Sequence, residues 1–217
     1  MEIAAATFGD VIQLIGSASL YGSSKTEPIS IGVTPIDLTW KNGGGSALKI
    51  TEIVTTVTTS ERLNWCRGGG FGQTKVSASY SVVLPIDQQG LPTLTTVTSP
   101  ADFTVAPRST DRMSITLGYE GQTSLGAHAT VLAVSITLKS GDGQRFDGGA
   151  FATVAAQQSV DRQRQDLEKG PESNEPDYVT SCVTKNLASL KKASENAKTS
   201  KSFDRLRTAY EDFASRM

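Results

Sequence analysis

Hydrophobic and polar residues alternate in several segments between about residues 17 and 156 of the chain. In "KVSASYSVVL", Val76, Ala78, Tyr80, Val82 and Leu84 fall on one side of an extended chain, and serines fall on the other. A strand with one buried and one solvated face requires this period of two. The pattern therefore predicts β-strands across this region.

Two later segments, "DRMSITLGY" and "ATVLAVSITLKS", repeat the alternation. One face is apolar in each, through Met113, Ile115 and Leu117 in the first and Leu132, Val134, Ile136 and Leu138 in the second. Both segments are therefore predicted strands with a single buried face.

Turn signals separate these strands. Asn42-Gly43 and Asp142-Gly143 are dipeptides typical of tight β-hairpins, because they accept positive φ angles. Pro35 interrupts the alternation of "SIGVTPIDLTWKN", which predicts an edge position or a bulge. Short strands with such turns and no helical pattern between them indicate an antiparallel sandwich or barrel.

Two motifs carry a resemblance to a known superfold. "VTPIDLTWKNGGGSALKITEIVTTV", followed by "FTVAPRSTDRMSITL", is similar to immunoglobulin-like modules of bacterial proteins. In those modules a strand ends in an Asn-Gly turn, and a later strand pair is joined by a Pro-centred turn with Ser or Thr. The resemblance covers residues 29–156 and implies an immunoglobulin-like β-sandwich, but a superfold implies no function.

The N-terminus adds a different pattern to this domain of residues 1–156. Phe8, Val11, Ile12 and Ile15 fall at i, i+3, i+4 and i+7, which predicts an amphipathic helix over residues 3–15. The alternative is a first strand that covers the main core.

The remainder of the chain predicts a polar, acidic linker at 157–176 and a helical hairpin at 177–217. The linker has apolar Val160 and Leu167, so it can begin as a short helix before Gly170 and Pro171. Asp177 and Ser202 are the predicted caps of the two following helices. The predicted fold is thus mainly β, an antiparallel immunoglobulin-like β-sandwich with an appended C-terminal α-helical hairpin.

The last helix has an apolar seam of heptad type. It consists of Phe203, Leu206, Tyr210 and Phe213, followed by Met217. Two helices alone are marginally stable. The first four residues are therefore the candidate helix interface, and the seam requires the sandwich, a second copy or another protein.

The glycine-rich stretch "NWCRGGGFGQTKV" raises the question of nucleotide binding. Thr74 precedes Lys75, and a strand pattern follows rather than a helix, so the phosphate-binding motif is not met. Aromatic and Arg side chains often anchor protein interfaces. Trp65, Arg67 and Phe71 are therefore the candidate partner-binding loop. The alternative is an ordinary loop with Trp65 tucked inward.

Charge and reactive residues limit the remaining functions. The net charge is −1 and the isoelectric point about 5.9, so nucleic acid is not an expected partner, and the basic helical tail is interpreted as a solvated face. His128 is the only imidazole and has no nucleophile motif around it. We predict a non-enzymatic protein with no cofactor and no metal site.

Compartment signals are weak. Cys66 and Cys182 could form one disulfide, but two thiols in a reducing compartment is the favoured interpretation. The N-terminus lacks the basic start of a signal peptide, and no run reaches the roughly 18 apolar residues of a membrane span. These features favour the cytoplasm.

Three functional hypotheses follow. The first is a protein-binding or assembly module that engages a partner or a second copy through its loops and its helical tail. The second is a carbohydrate-binding sandwich that uses Trp40 or Trp65. The third is a structural protein of a virus, phage or secretion assembly.

Overall fold

The computed structural model describes residues 2–20, 26–66, 74–119, 122–123, 129–155, 157–169 and 176–217. Strands come first in the chain, and helices follow. The strands are β1 (Glu2–Phe8), β2 (Ile12–Leu20), β3 (Thr26–Val33), β4 (Ile36–Asn42), β5 (Leu48–Arg62), β6 (Thr74–Ala78), β7 (Val82–Leu84), β8 (Thr96–Val105), β9 (Ser109–Ile115), β10 (Leu117–Tyr119), β11 (Gln122–Thr123), β12 (Thr130–Ser140), β13 (Arg145–Ala155) and β14 (Lys198–Thr199). The helices are α1 (Gln157–Glu168), α2 (Pro176–Ser194) and α3 (Lys201–Ser215).

The described strands form four sheets, with the orders β1-β4-β9, β10-β7, β11-β6-β2-β3 and β14-β13-β12-β5-β8. Their pairing is antiparallel except between β7 and β10 and between β13 and β14. The prediction of a mainly β, antiparallel fold with C-terminal helices is confirmed at this level.

The main core lies between the three-stranded and the five-stranded sheets. Trp40 of β4 is fully buried there, and its ring contacts Phe103 of β8 and Phe146 of β13. The predicted apolar face of β12 is buried in the same core. Alternation therefore identified the inner faces of the two layers.

A second core lies on the opposite face of the five-stranded sheet. Val131 and Ala133 of β12 and Val154 of β13 are buried against the three helices. The central strand β12 is thus covered on both faces, and the described architecture has three layers: sheet, sheet and helices. No helix in the described part of the chain is long and apolar enough to cross a lipid bilayer.

The helix predicted over residues 3–15 is wrong, because this segment forms β1 and β2. β1 pairs with β4 from Glu2 to Phe8, and β2 pairs with β3 from Ile12 to Ser19. The ladder bonds outweigh the helical spacing of the apolar residues, so tertiary pairing decides the structure. The alternative of a first strand is the correct one.

The two strand pairs form one bent ribbon. β1 and β4 of the three-stranded sheet continue as β2 and β3 of the four-stranded sheet. The bend lies where Gly9 and Pro35 separate the strands, and the Gly9 N–H donates to the Pro35 carbonyl at 2.9 Å. Pro35 lies between β3 and β4, at the passage from one sheet to another, rather than at the predicted edge position or bulge.

The predicted single strand from Val76 to Leu84 is divided in the structure. β6 joins the four-stranded sheet, whereas β7 pairs with β10. The chain is diverted at Ser81, whose N–H donates to the Thr116 hydroxyl at 2.9 Å. Local alternation continues through the break and cannot reveal it.

The two predicted hairpin turns differ in outcome. Gly143 has a φ of +86° in the turn between the paired strands β12 and β13, which confirms that hairpin. Asn42 instead ends β4, and the following strand lies in another sheet. Its side-chain amide donates to the carbonyls of Ser46 (2.9 Å) and Val105 (3.2 Å). Asn42 therefore stabilises the connection between two sheets rather than a hairpin turn.

Residues 157–168 of the predicted linker form α1, in the place where the sequence allowed a short helix at the start of the linker. Val160 and Leu167 are buried, and the polar majority of this segment is the solvated side of an amphipathic helix. The segment predicted as a helical hairpin at 177–217 contains α2 and α3, with the short strand β14 between them. The cap of α3 is Ser200 rather than Ser202, because the Ser200 hydroxyl accepts the Phe203 N–H at 3.2 Å.

Candidate functional site

The chain that follows β5 begins the predicted partner-binding loop of Trp65, Arg67 and Phe71. Trp65 is only 8% exposed, and the Tyr178 hydroxyl of α2 donates to its carbonyl at 3.4 Å. This burial fits the alternative of a tucked-in Trp65 and contradicts its role as an exposed anchor. Arg67 and Phe71 lie outside the described residues.

A disulfide joins this segment to the helical layer. Cys66, just beyond β5, is bonded to Cys182 of α2, 116 positions later in the sequence. The prediction of two thiols is therefore wrong. A sequence with two cysteines so far apart gives no signal for their pairing, because only the folded chain brings helix and strand end together.

Three polar side chains, from Gln163, Asn186 and Tyr210, meet the backbone of Asn64 beside the disulfide. The Asn64 N–H donates to Asn186 Oδ1 at 2.9 Å, and Asn186 Nδ2 donates to the Asn64 carbonyl at 2.8 Å. Gln163 Nε2 donates to the same carbonyl at 3.0 Å. We name Asn64, Gln163, Asn186 and Tyr210 the polar junction. It satisfies the backbone of Asn64 where β5 has no further strand partner.

Tyr210 completes the polar junction from α3. Its hydroxyl oxygen accepts hydrogen bonds from Gln163 Nε2 at 2.6 Å and from Asn186 Nδ2 at 2.8 Å. Burial raises the pKa of the Tyr210 phenol, and the hydrogen bond from Asn186 offsets this only in part. The phenol therefore stays neutral at physiological pH and acts as a fixed acceptor between α1 and α2.

The candidate helix interface is occupied within the chain. Phe203, Leu206, Tyr210 and Phe213 are all fully buried in the second core. They pack with the outer face of β12 and β13 and with α1 and α2, so they form an intramolecular interface. Of the three alternatives for the seam, namely the sandwich, a second copy or another protein, the described packing corresponds to the first.

An ion pair fixes α2 to β5 at the edge of this layer. Lys192 Nζ lies 2.8 Å from Glu61 Oε1, and the Ser189 hydroxyl donates to Glu61 Oε2 at 2.5 Å. The hydrogen bond from Lys192, followed by that from Ser189, lowers the pKa of the Glu61 carboxyl. The second core is thus enclosed by polar contacts at its rim.

One large apolar side chain of the projecting four-stranded sheet stands out by its exposure: Ile15 is 87% exposed. Ile12, which is 40% exposed, lies on the opposite face of β2, because side chains alternate along a strand. Val11, which precedes β2, is 48% exposed. Ile15 stands opposite Ser30, whose hydroxyl donates to Gln13 at 2.8 Å. The four strands of this sheet pack mainly against one another and bury only a small cluster around Ile31.

Trp40, the other tryptophan considered for sugar binding, is buried in the main core, and His128 lies outside the described residues.

The surface between α1 and α3 carries charges of both signs, from Arg164, Glu168, Asp204, Arg205, Asp212 and Arg216. Such a mixture does not produce the single-sign field of a nucleic-acid interface.

Comparisons with protein-family models, with curated proteins and with solved structures found no match to this chain.

Proposed function

We propose that this protein is a non-enzymatic assembly module that associates with further copies of itself through the projecting sheet of β2 and β3. The observation that carries the proposal is the exposure of Ile15, which is 87% exposed on one face of this sheet. A large apolar side chain with uncharged neighbours resembles the centre of a protein interface, where charged residues are depleted.

The chemistry of this sheet face favours a second copy as the partner. The positions of β2 and β3 on the side of Ile15 are uncharged: Gln13, Ser17, Pro28, Ser30 and Gly32. Depletion of charge is a feature of interface centres. A net charge of −1 also leaves little repulsion between copies. The β2 and β3 parts of two such faces can meet without bringing charges together.

Contact through the face is favoured over addition of a strand at the edge. β3 is the edge strand of its sheet, and it contains Pro28. Proline has no N–H to donate to a new neighbour, and it is one of the devices that prevent edge-to-edge pairing. The side chains, rather than the free backbone, are therefore the proposed contact.

The expected strength follows from the exposure of Ile15, which amounts to most of one side chain. Burying a large aliphatic side chain contributes about 1.5–3 kcal/mol, so the two Ile15 side chains of a symmetric contact gain roughly 3–5 kcal/mol before the cost of association. A single contact of this kind is weak, and repeated contacts in an assembly would strengthen it.

An immunoglobulin-like sandwich remains the proposed finer description of the two β layers, and a structural role in a virus, phage or secretion assembly remains compatible with the proposal. The carbohydrate hypothesis loses its motivation, because Trp40 and Trp65 are both buried and neither offers an exposed aromatic platform.

The proposal is tested by light scattering across a dilution series. Ile15→Glu places a charge in the centre of the proposed contact and should reduce the mass to that of the monomer. Leu94→Glu is the matched control, because Leu94 is 68% exposed outside this sheet and should leave association unchanged. A wild-type chain that is monomeric at every concentration would refute self-assembly.

A further inference from the structure

The disulfide between Cys66 and Cys182 joins the five-stranded sheet to the helical layer. It cross-links the end of β5 to α2. Cys66 follows Leu63, Asn64 and Trp65 at the end of the longest strand, and Cys182 lies in the first half of α2. The bond therefore closes one corner of the helical layer, next to the polar junction.

Other parts of the helical layer have anchors of their own. The Ser200 N–H donates to the Ala152 carbonyl at 3.1 Å, and the Thr153 hydroxyl donates to the Ser200 hydroxyl at 3.0 Å. Phe203 and Phe213 are fully buried in the second core. α3 and the end of α2 are thus held without the disulfide.

The corner has noncovalent contacts of its own. Val179 and Val183 are the buried aliphatic residues of the first half of α2, and the backbone of Asn64 is hydrogen-bonded to Asn186. Trp65 is also buried, with its carbonyl accepting from Tyr178, and Glu61 contacts Ser189 and Lys192 further along α2. Without the covalent bond, these contacts must retain both segments against a large gain of chain entropy.

We propose that this disulfide is a redox-responsive staple, whose reduction opens the corner of residues 61–66 and 176–186 and leaves the remaining layers folded. A dithiol supplies the electrons. The S–S bond breaks, each cysteine sulfur gains an electron and a proton, and the dithiol is oxidised to its cyclic disulfide. Both cysteines are almost fully buried, so attack follows local opening and reduction is slow.

The proposal gives the chain two states that depend on the redox compartment. In an oxidising environment the corner is closed and the helical layer is continuous with β5. In a reducing environment the same chain folds, but the end of β5 and the first half of α2 exchange with solvent. This inference does not depend on the self-association proposed above, because the contacts involved lie in another sheet.

Hydrogen–deuterium exchange measured by mass spectrometry tests it on the full chain. Dithiothreitol should accelerate exchange in peptides covering 61–66 and 176–186 by roughly thirtyfold or more, the low end of the usual stabilisation by a disulfide. Peptides from β12, β13 and α3 should keep their protection. Alkylation under denaturing conditions should detect no thiol before reduction and two after it.

The matched control is the double variant Cys66→Ser/Cys182→Ser, whose exchange should be fast at the corner with or without dithiothreitol. Two reactive thiols in protein purified without reductant would overturn the staple. Unchanged exchange at the corner of fully reduced wild type would overturn the opening. Loss of protection throughout the reduced wild type would overturn its local character, and this readout does not require the variant to fold.

Discussion

Replacing Tyr210 with phenylalanine removes one oxygen atom from the centre of the polar junction. The ring stays in place, so no cavity forms in the second core. The lost hydroxyl is the acceptor for Gln163 Nε2 at 2.6 Å and for Asn186 Nδ2 at 2.8 Å. Both amides are buried to within a few per cent, so neither can turn to water.

The expected loss follows from these two amides. A buried donor that loses its acceptor costs about 1–3 kcal/mol. Each amide keeps a second hydrogen bond, to the Asn64 carbonyl, which places the cost near the low end for each. Tyr210→Phe should therefore lower the free energy of unfolding by about 2–4 kcal/mol, a large part of the 5–15 kcal/mol typical of a domain.

Urea unfolding followed by tryptophan fluorescence measures this change. Tyr178→Phe is the control, because its hydroxyl is on a half-exposed side chain and makes one long hydrogen bond, so its loss should cost less than about 0.5 kcal/mol. In the double variant Tyr210→Phe/Gln163→Met, the two losses should be less than additive. A Tyr210→Phe variant within about 0.5 kcal/mol of wild type would refute the role of the junction.

Three further predictions concern the ribbon bend and pH. Gly9→Ala should destabilise the fold by roughly 1–3 kcal/mol in urea, because its Cβ would overlap the buried Asp37 carboxylate, whereas Gly45→Ala, with open space around it, should be neutral. The raised pKa of Tyr210 predicts stability that is complete below about pH 10 and is lost as the pH rises further; Tyr210→Phe should flatten this decline in pH-dependent unfolding, and an unchanged slope would contradict the prediction. The lowered pKa of Glu61 predicts stability that is present above about pH 4.5 and is lost as the pH falls through the folded pKa, so Glu61→Gln should flatten the acid side of the same curve, and an identical acid slope would argue against the Lys192 pairing.

The sequence predicted strands well where alternation and burial coincide. Leu132 to Leu138 alternate because one face of β12 meets the main core. The neighbouring Val131 and Ala133 carried a further signal, since an uninterrupted apolar run indicates a strand covered on both faces. The second core, and hence the site where the helices dock, could have been inferred from these residues.

Other features depend on contacts that no local pattern encodes. Ile15 has helical spacing from Phe8 and Val11, yet β2 is held by its ladder with β3. Asn64 and Asn186 are ordinary polar residues in sequence, and they meet only after β5 and α2 are assembled. The polar junction and the disulfide therefore required the fold, because Asn64 and Asn186 are 122 residues apart and the two cysteines are 116 residues apart.

The bent ribbon determines how the protein would bear mechanical load. A pull on the tip of the projecting sheet acts on β2 and β3 together, and both continue through the bend into β1 and β4. Those two strands are drawn in the same direction, so their mutual ladder is not sheared. The force passes through β2 to its ladder with β6 and, beyond the bend, to the ladder between β4 and β9, from Ile36 opposite Ile115 to Asn42 opposite Ser109. That ladder is loaded along its length, with its hydrogen bonds sharing the tension in parallel rather than breaking one after another.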